Sequence, residues 1–165
     1  MKVLIAGVGN LLRGDDGFGM RALQQLEAEP SNANVKLLEV GTSGLSLIQE
    51  LMAGYDACVI LDAVDRSAAP GSIFVLEPQP ELLPANLESL HSELVDMHYA
   101  EPSRALLLAQ ALGVRPPQVY VVACQPAETE EMSEMLSPSV KRAVRIAVEK
   151  TKALLEELFA VPATE

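Results

Sequence analysis

The chain has few cysteines and few basic residues, and each shortage excludes a class of protein. Its two cysteines, Cys58 and Cys124, form no CxxC pair and are too few for a disulfide framework. Each lies within an apolar run, so we expect both to be small buried hydrophobic residues. Only 12 Lys and Arg stand against 23 Asp and Glu, giving a formal charge of −11. A nucleic acid would meet net repulsion, and we expect no nucleic-acid partner.

Long apolar runs are also lacking. At the N-terminus a single Lys precedes six apolar residues that end at Val8. This run is too short for the apolar region of a signal peptide and far too short to cross a bilayer. We therefore expect a cytoplasmic protein with no membrane partner.

Short apolar runs do alternate with amphipathic stretches along the 165 residues. This length predicts a single domain, residues 1–165, large enough to bury a core. Strands are predicted over 2–8, 34–40, 56–62, 71–76 and 119–124. Helices are predicted from about residue 15 to 26, from the Ser43 cap to 53, over 102–112, and from the Ser137 cap, with Pro138 in the first turn, to about 159.

Strands interleaved with helices predict an α/β fold, a three-layer αβα sandwich around a mainly parallel five-stranded sheet. The fourth strand follows the third without a helix between them. We therefore expect that strand to run antiparallel or to lie at an edge of the sheet.

Acidic residues stand where the predicted strands end. Asp15 and Asp16 follow the first strand, Glu39 lies near the end of the second, and Asp62 ends the third. Ligands of open α/β sheets bind beyond the carboxyl ends of the strands, so these groups are expected at one rim. Asp15 or Asp16 could equally cap the first helix, and Asp65 could form a turn. A carboxylate that ends an apolar strand, as Asp62 does, costs desolvation free energy unless it has a partner.

Carboxylates combined with an imidazole form a site for a divalent transition metal. The two histidines, His91 and His98, both lie in the irregular segment 77–100. Either could instead be an ordinary solvated side chain. The sequence contains no GxSxG elbow and no HExxH motif, the signatures of α/β-hydrolases and zincins.

A nucleotide site is not expected after the first strand. Gly7-Val8-Gly9 resembles a dinucleotide-binding loop, but Leu12 stands where GxGxxG requires its third glycine. Asp15 and Asp16 would also place negative charge where a pyrophosphate would bind.

Short motifs occur in order along nearly the whole chain. They are Gly9-Asn10, Gly14-Asp15-Asp16-Gly17 with Gly19, Gly41-Thr42-Ser43-Gly44, Asp62-Ala63, Pro70-Gly71 and Gln125-Pro126. Together they resemble the nickel–iron (NiFe) hydrogenase maturation proteases, small cytoplasmic endopeptidases that remove the C-terminal extension of the hydrogenase large subunit. The resemblance implies a peptidase of aspartyl type, the large-subunit precursor as partner, and a monomer.

The resemblance also implies site residues. Asp16, Asp62 and His98 would contact nickel, which the precursor carries rather than the protease holding it permanently. His98 is preferred to His91 because its distance from the fifth-strand motif is similar to that in the family and a helical stretch follows it. Asp16 and Asp62 are the candidate catalytic carboxylates, and Glu39, where the family often has Asp, is a weaker cleft candidate. Either the metal or a carboxylate could activate water.

Two other functions fit part of the sequence. Peptidyl-tRNA hydrolases also open with a strand that leads to a Gly-Asn turn, but the charge of −11 offers no basic face for tRNA. A non-enzymatic nickel-binding or chaperone module would hold nickel tightly without substrate. Two carboxylates and one histidine leave coordination positions open and would hold it loosely.

Overall fold

The computed structural model describes residues 1–30, 32–79 and 102–160. The strands are β1 (Val3–Val8), β2 (Val35–Gly41), β3 (Ala57–Ala63), β4 (Ile73–Leu76) and β5 (Gln118–Cys124). The helices are a 3-10 turn (Gly14–Gly17), α1 (Phe18–Glu27), α2 (Gly44–Leu51), α3 (Pro102–Ala111) and α4 (Pro138–Ala160). Every predicted strand and helix is present, with ends shifted by no more than three residues.

The five strands form one sheet in the order β2-β1-β3-β5-β4. Its first four strands are parallel, and β4 pairs antiparallel with β5 at the edge. A parallel crossover needs a dozen or more residues, and segment 64–72 is too short to provide one. The predicted mainly parallel sheet with an antiparallel edge strand is therefore confirmed.

Helices cover both faces of this sheet, as the near-continuous apolar sequences of β1 and β3 require. On one face, α1 and α4 pack against alternate strand residues such as Ile5 and Val59. On the other face, α2 and α3 pack against the intervening residues, such as Leu4 and Ile60. Cys58 and Cys124 are buried free thiols, as predicted, and burial raises the pKa of each to about 12. Within the described residues, no helix has the length and apolarity needed to cross a membrane.

Helix α1 crosses the carboxyl ends of two strands at very short distance. A Cβ atom on Gly19 would lie 2.1 Å from the carbonyl oxygen of Leu61 and 2.4 Å from that of Val8. Only glycine allows this approach. The start of α1 is therefore held against the ends of both β1 and β3.

Two of the predicted helix caps differ from expectation in their chemistry. Ser43 occupies the N-cap position of α2, but its side chain makes no capping hydrogen bond. Ser137 precedes α4, and its hydroxyl donates to a carboxylate oxygen of Asp15 at 2.9 Å. The serine next to α4 therefore ties this helix to the turn after β1.

Candidate functional site

The strand order creates a crevice between the ends of β1 and β3. After β1 the chain turns to β2 on one side, and after β3 it continues towards β5 and β4 on the other. Ligands of open α/β sheets bind at such a switch point. Asp16 follows β1 and Asp62 is the penultimate residue of β3, so the topology brings these two predicted residues to the two sides of the crevice.

A tight loop positions Asp16. Gly9 has a φ of +117°, and a Cβ atom there would lie 1.9 Å from the Asp16 carbonyl oxygen. This close approach lets the Asn10 amide donate to Asp16 Oδ2 at 2.7 Å. The Asn10 side-chain oxygen accepts the amide of Leu12 at 2.9 Å, which closes the loop. The Gly9-Asn10 motif therefore holds one oxygen of a half-buried carboxylate.

Asp62 is buried, with 6% of its surface exposed. Desolvation raises the pKa of this carboxyl to about 8, and the negative charge of Asp16 contributes to the rise. A hydrogen bond from the Ala63 amide acts in the opposite direction but is outweighed. The two carboxylates are thus electrostatically coupled, and no ion-pair partner for Asp62 occurs among the described residues.

The two carboxylates alone do not make a complete metal site. Across residues 1–30, 32–79 and 102–160, no three His, Cys, Asp or Glu side chains are grouped so that they could hold a metal ion. His98 and His91 lie outside the described residues. The structure therefore brings Asp16 and Asp62 together, and the histidine contribution stays a prediction.

Glu39 lies on the edge strand β2, in register with Gly7 of β1, and its side chain is exposed. A Cβ atom on Gly7 would meet Leu23 of α1, so this register position faces α1. Leu61 packs on the α1 side of the sheet, and successive side chains of a strand lie on opposite faces. Asp62 therefore lies on the face that α2 and α3 cover, as Ile60 does. In the described part of the chain, no hydrogen bond or ion pair connects Glu39 to either aspartate.

The neighbouring aspartates Asp15 and Asp16 have different roles. Asp15 is 1% exposed, and its carboxylate accepts hydrogen bonds from the amides of Ala127, Glu128 and Ser137 and from the Ser137 hydroxyl, at 2.7–3.2 Å. It does not cap α1, whose N-cap residue is Gly17. Sequence reasoning missed this structural role because adjacent aspartates give no signal of which side chain points inward.

Gln125 shapes the loop that follows Asp62. Its side-chain oxygen accepts the amides of Arg66 and Ala68, at 2.7 and 3.2 Å, and its nitrogen donates to Asp65 at 3.0 Å. Asp65 also accepts the Ser67 amide at 2.8 Å, as the predicted turn requires. These two hydrogen bonds lower the pKa of Asp65, with the Ser67 amide the larger cause. The Gln125-Pro126 motif thus acts as scaffold for the carboxyl edge of β3.

Most of the chain is similar to one known protein family. A family model described as hydrogenase maturation protease matches residues 20–153. The chain is 36% identical over 163 residues to the hydrogenase expression/formation protein HoxM of Cupriavidus necator, covering 97% of this chain and 77% of that protein. It is 31% identical over 159 residues to the hydrogenase 2 maturation protease of Escherichia coli, covering 95% and 92%.

Solved structures agree with these sequence relatives. The hydrogenase maturating endopeptidase HybD from E. coli superimposes with a TM-score of 0.76 at 27% identity, covering 95% of this chain and 93% of that one. A hydrogenase 2 maturation peptidase from Thaumarchaeota archaeon SCGC_AB-539-E09 superimposes with a TM-score of 0.68 at 30% identity. The same fold, the family model and relatives above 30% identity lead to one assignment: the chain belongs to the hydrogenase maturation protease family.

Proposed function

We propose that this protease removes the C-terminal extension of a nickel-loaded NiFe-hydrogenase large-subunit precursor and recognises the precursor's nickel through Asp16, Asp62 and His98. The nickel is part of the substrate and leaves with it. Family membership favours a peptidase over the peptidyl-tRNA hydrolase and nickel-chaperone alternatives.

The observation that carries the proposal is the uncompensated pair of carboxylates at the switch point. Asp62 is buried beside the negative charge of Asp16, and the described residues supply no cation to either as an ion-pair partner. Burial of an unpaired charge is costly, so Asp62 keeps its proton when no cation is near, and a bound cation would stabilise the ionised carboxylate. A divalent metal bound by hard oxygen ligands is suitable here.

The chain topology supports a histidine as the third contact. Asp62 lies on the face of the sheet that α2 and α3 cover. Helix α3 begins at Pro102, only four residues after His98 in the sequence. The segment that leads into α3 is therefore the part of the chain from which an imidazole would reach this face. Two carboxylates and one imidazole leave coordination positions free for ligands on the precursor.

The reaction is hydrolysis of one peptide bond. Water adds to the scissile carbonyl carbon, the C–N bond breaks, and a proton passes to the leaving amine. Docking the precursor's nickel on the protease side chains would hold that bond beside Asp16, which is half-buried and has one oxygen fixed by Asn10. Besides contacting the nickel together with Asp62, Asp16 is the carboxylate we assign to accept a proton from water.

The experiment is intact-mass analysis of a cognate large-subunit precursor incubated with the protease, with and without nickel loading. Loss of a short C-terminal peptide only from the loaded precursor is the expected result. Cleavage of the precursor both with and without nickel would support the protease activity but overturn the proposed recognition of nickel. If a precursor verified to carry nickel stays intact, and the purified protein itself holds nickel tightly, the result would favour the non-enzymatic nickel-binding module over the peptidase.

Variants assign the residues. Asp16→Asn, Asp62→Asn and His98→Ala should each reduce processing of the loaded precursor by 100-fold or more, about the effect of losing a ligand or a general base. His91→Ala tests the other histidine. Asp56→Asn is the matched control. Asp56 lies at the amino end of β3, opposite the end that carries Asp62, and accepts the Lys2 amide at 2.5 Å. Equal activity of His98→Ala and wild type would remove His98 from the site.

A further inference from the structure

A ridge of large apolar side chains stands in solvent beside the loop that leads to Asp16. Leu12 is 48% exposed, Met132 is 79% exposed and Met135 is 73% exposed. We call these three residues the methionine ridge. Clusters of exposed apolar side chains on a protein surface mark interaction sites, and methionine is common where a surface must adapt to its partner.

Backbone hydrogen bonds fix the methionine ridge to the candidate active site. The Ser133 amide donates to the Leu12 carbonyl at 2.9 Å, and the Gly14 amide donates to the Ser133 carbonyl at 2.8 Å. The two segments therefore run side by side, and one of them continues directly into the 3-10 turn that contains Asp16. A molecule bound on the ridge would lie next to the crevice.

Acidic side chains surround the ridge. Glu128, Glu130, Glu131 and Glu134 share its loop, and Arg13 pairs with Glu130 at 3.0 Å. No ion pair is found for the other three glutamates within the described residues. A partner that complements this surface presents an apolar centre flanked by Lys or Arg.

A cavity of about 400 Å³ adjoins the ridge. It is lined by Arg21 and Gln25 of α1, by Met135 and Leu136, and by Lys141 and Val144 of α4. Arg21 is held in place through hydrogen bonds to Gln24 and to the Glu134 carbonyl, both at 3.2 Å. The surface is thus concave beside Met135, with room for a side chain of a partner.

We propose that the methionine ridge and this cavity are the docking surface for the large-subunit precursor, through a precursor segment whose apolar side chains are flanked by basic residues. The inference rests on the proposed function, because a protein substrate cleaved in the crevice would extend onto the surface next to it. Continuity with the Asp16 loop selects the precursor as the occupant, and the acidic residues around the ridge indicate that its docked segment carries basic residues.

The first test is the double variant Met132→Ser/Met135→Ser, assayed for processing of the loaded precursor. Both side chains are mostly in solvent, so the fold is retained, which a thermal melt checks. We expect KM to rise about tenfold with kcat unchanged, since uniform binding is lost and the reacting groups are intact. The matched control is Met52→Ser, a methionine 67% exposed just after α2, which should keep the wild-type KM.

The second test addresses the charges. Glu131→Gln/Glu134→Gln should raise KM and flatten its dependence on salt, because fewer charge pairs remain to be screened. A wild-type KM in both double variants would overturn the docking surface and leave the proposed function standing. A wild-type protein that cleaves no loaded precursor would overturn the proposed function and this inference with it.

Discussion

Asp15 and Ser137 lie 122 residues apart in the chain and are joined by two hydrogen bonds. The Ser137 amide donates to Asp15 Oδ1 at 2.7 Å, and the Ser137 hydroxyl donates to Oδ2 at 2.9 Å. Asp15 also accepts two amides from the loop after β5. One buried carboxylate thereby attaches the start of α4 to the turn that carries Asp16.

Replacement of Asp15 should destabilise the protein. Asp15→Ala leaves three amides, those of Ala127, Glu128 and Ser137, and the Ser137 hydroxyl without their acceptor. Each such loss in a buried site costs about 1–3 kcal/mol. We expect the free energy of unfolding to fall by about 3 kcal/mol or more, measured by urea denaturation. Asp16→Ala is the control, because Asp16 is half-buried and accepts one amide, and it should lose about 1 kcal/mol. Equal losses in the two variants would contradict the structural role of Asp15.

The sequence predicted the sheet because strand and helix signals are local. Apolar runs such as 56–62 and breakers such as Gly113 can be identified from a few neighbouring residues. The antiparallel edge strand was predictable as well, since segment 64–72 lacks a crossover helix. Residues 80–101, which contain both histidines, lie outside the described residues, so the metal contact of His98 stays a prediction.

The different roles of Asp15, which holds the fold together, and Asp16, which lies at the crevice, were not predictable from local sequence. It depends on Ser137 and on the amides after β5, which are distant in sequence and reach Asp15 only in the folded chain. Side-chain capping was overestimated for a related reason. Ser137 has the residue type of an N-cap, but its hydroxyl donates to Asp15, a partner that no local pattern contains.

Gly19 should not tolerate a methyl group. Gly19→Ala would place a Cβ atom 2.1 Å from the Leu61 carbonyl oxygen, which forces α1 away from the ends of β1 and β3. We expect a loss of about 3 kcal/mol or more, as for severe overpacking of a core, measured by thermal and urea unfolding. Gly44→Ala is the matched helical control. Its Cβ would meet only the Ala105 methyl at 3.5 Å, an ordinary contact, so stability near that of wild type is expected.

Glu50 stabilises the fold in a pH-dependent way. Hydrogen bonds from Lys36, at 2.7 Å, and from the Tyr55 hydroxyl lower the pKa of Glu50 below 4.5. A lowered carboxyl pKa adds stability above the unfolded value, which is lost as the pH falls through the folded value. Because the group is partly solvated, we expect Glu50→Gln to cost only about 0.5–1 kcal/mol at pH 7. Urea titrations at pH 7 and pH 3 should show this difference shrink, and a constant difference would contradict the pairing.

Asp62 should have the opposite effect on stability. Its pKa is raised from 3.8 to about 8, chiefly by burial and further by the charge of Asp16. Between these two values the folded protein keeps a proton that the unfolded chain has lost. The free energy of unfolding therefore falls as the pH rises from about 4 to about 8 and levels off above that.

Asp62→Asn removes this ionisation and should remove the decline. Relative to wild type, we expect the variant to gain about 4 kcal/mol in free energy of unfolding between pH 5 and pH 8, at about 1.4 kcal/mol per pH unit. Urea titrations in metal-free buffer at both pH values measure this gain. Asp56→Asn is expected to keep the wild-type slope, because the Asp56 side chain is 58% exposed. A variant that is equally destabilised at pH 5 and pH 8 would show instead that Asp62 is ionised in the folded protein and satisfied by a partner.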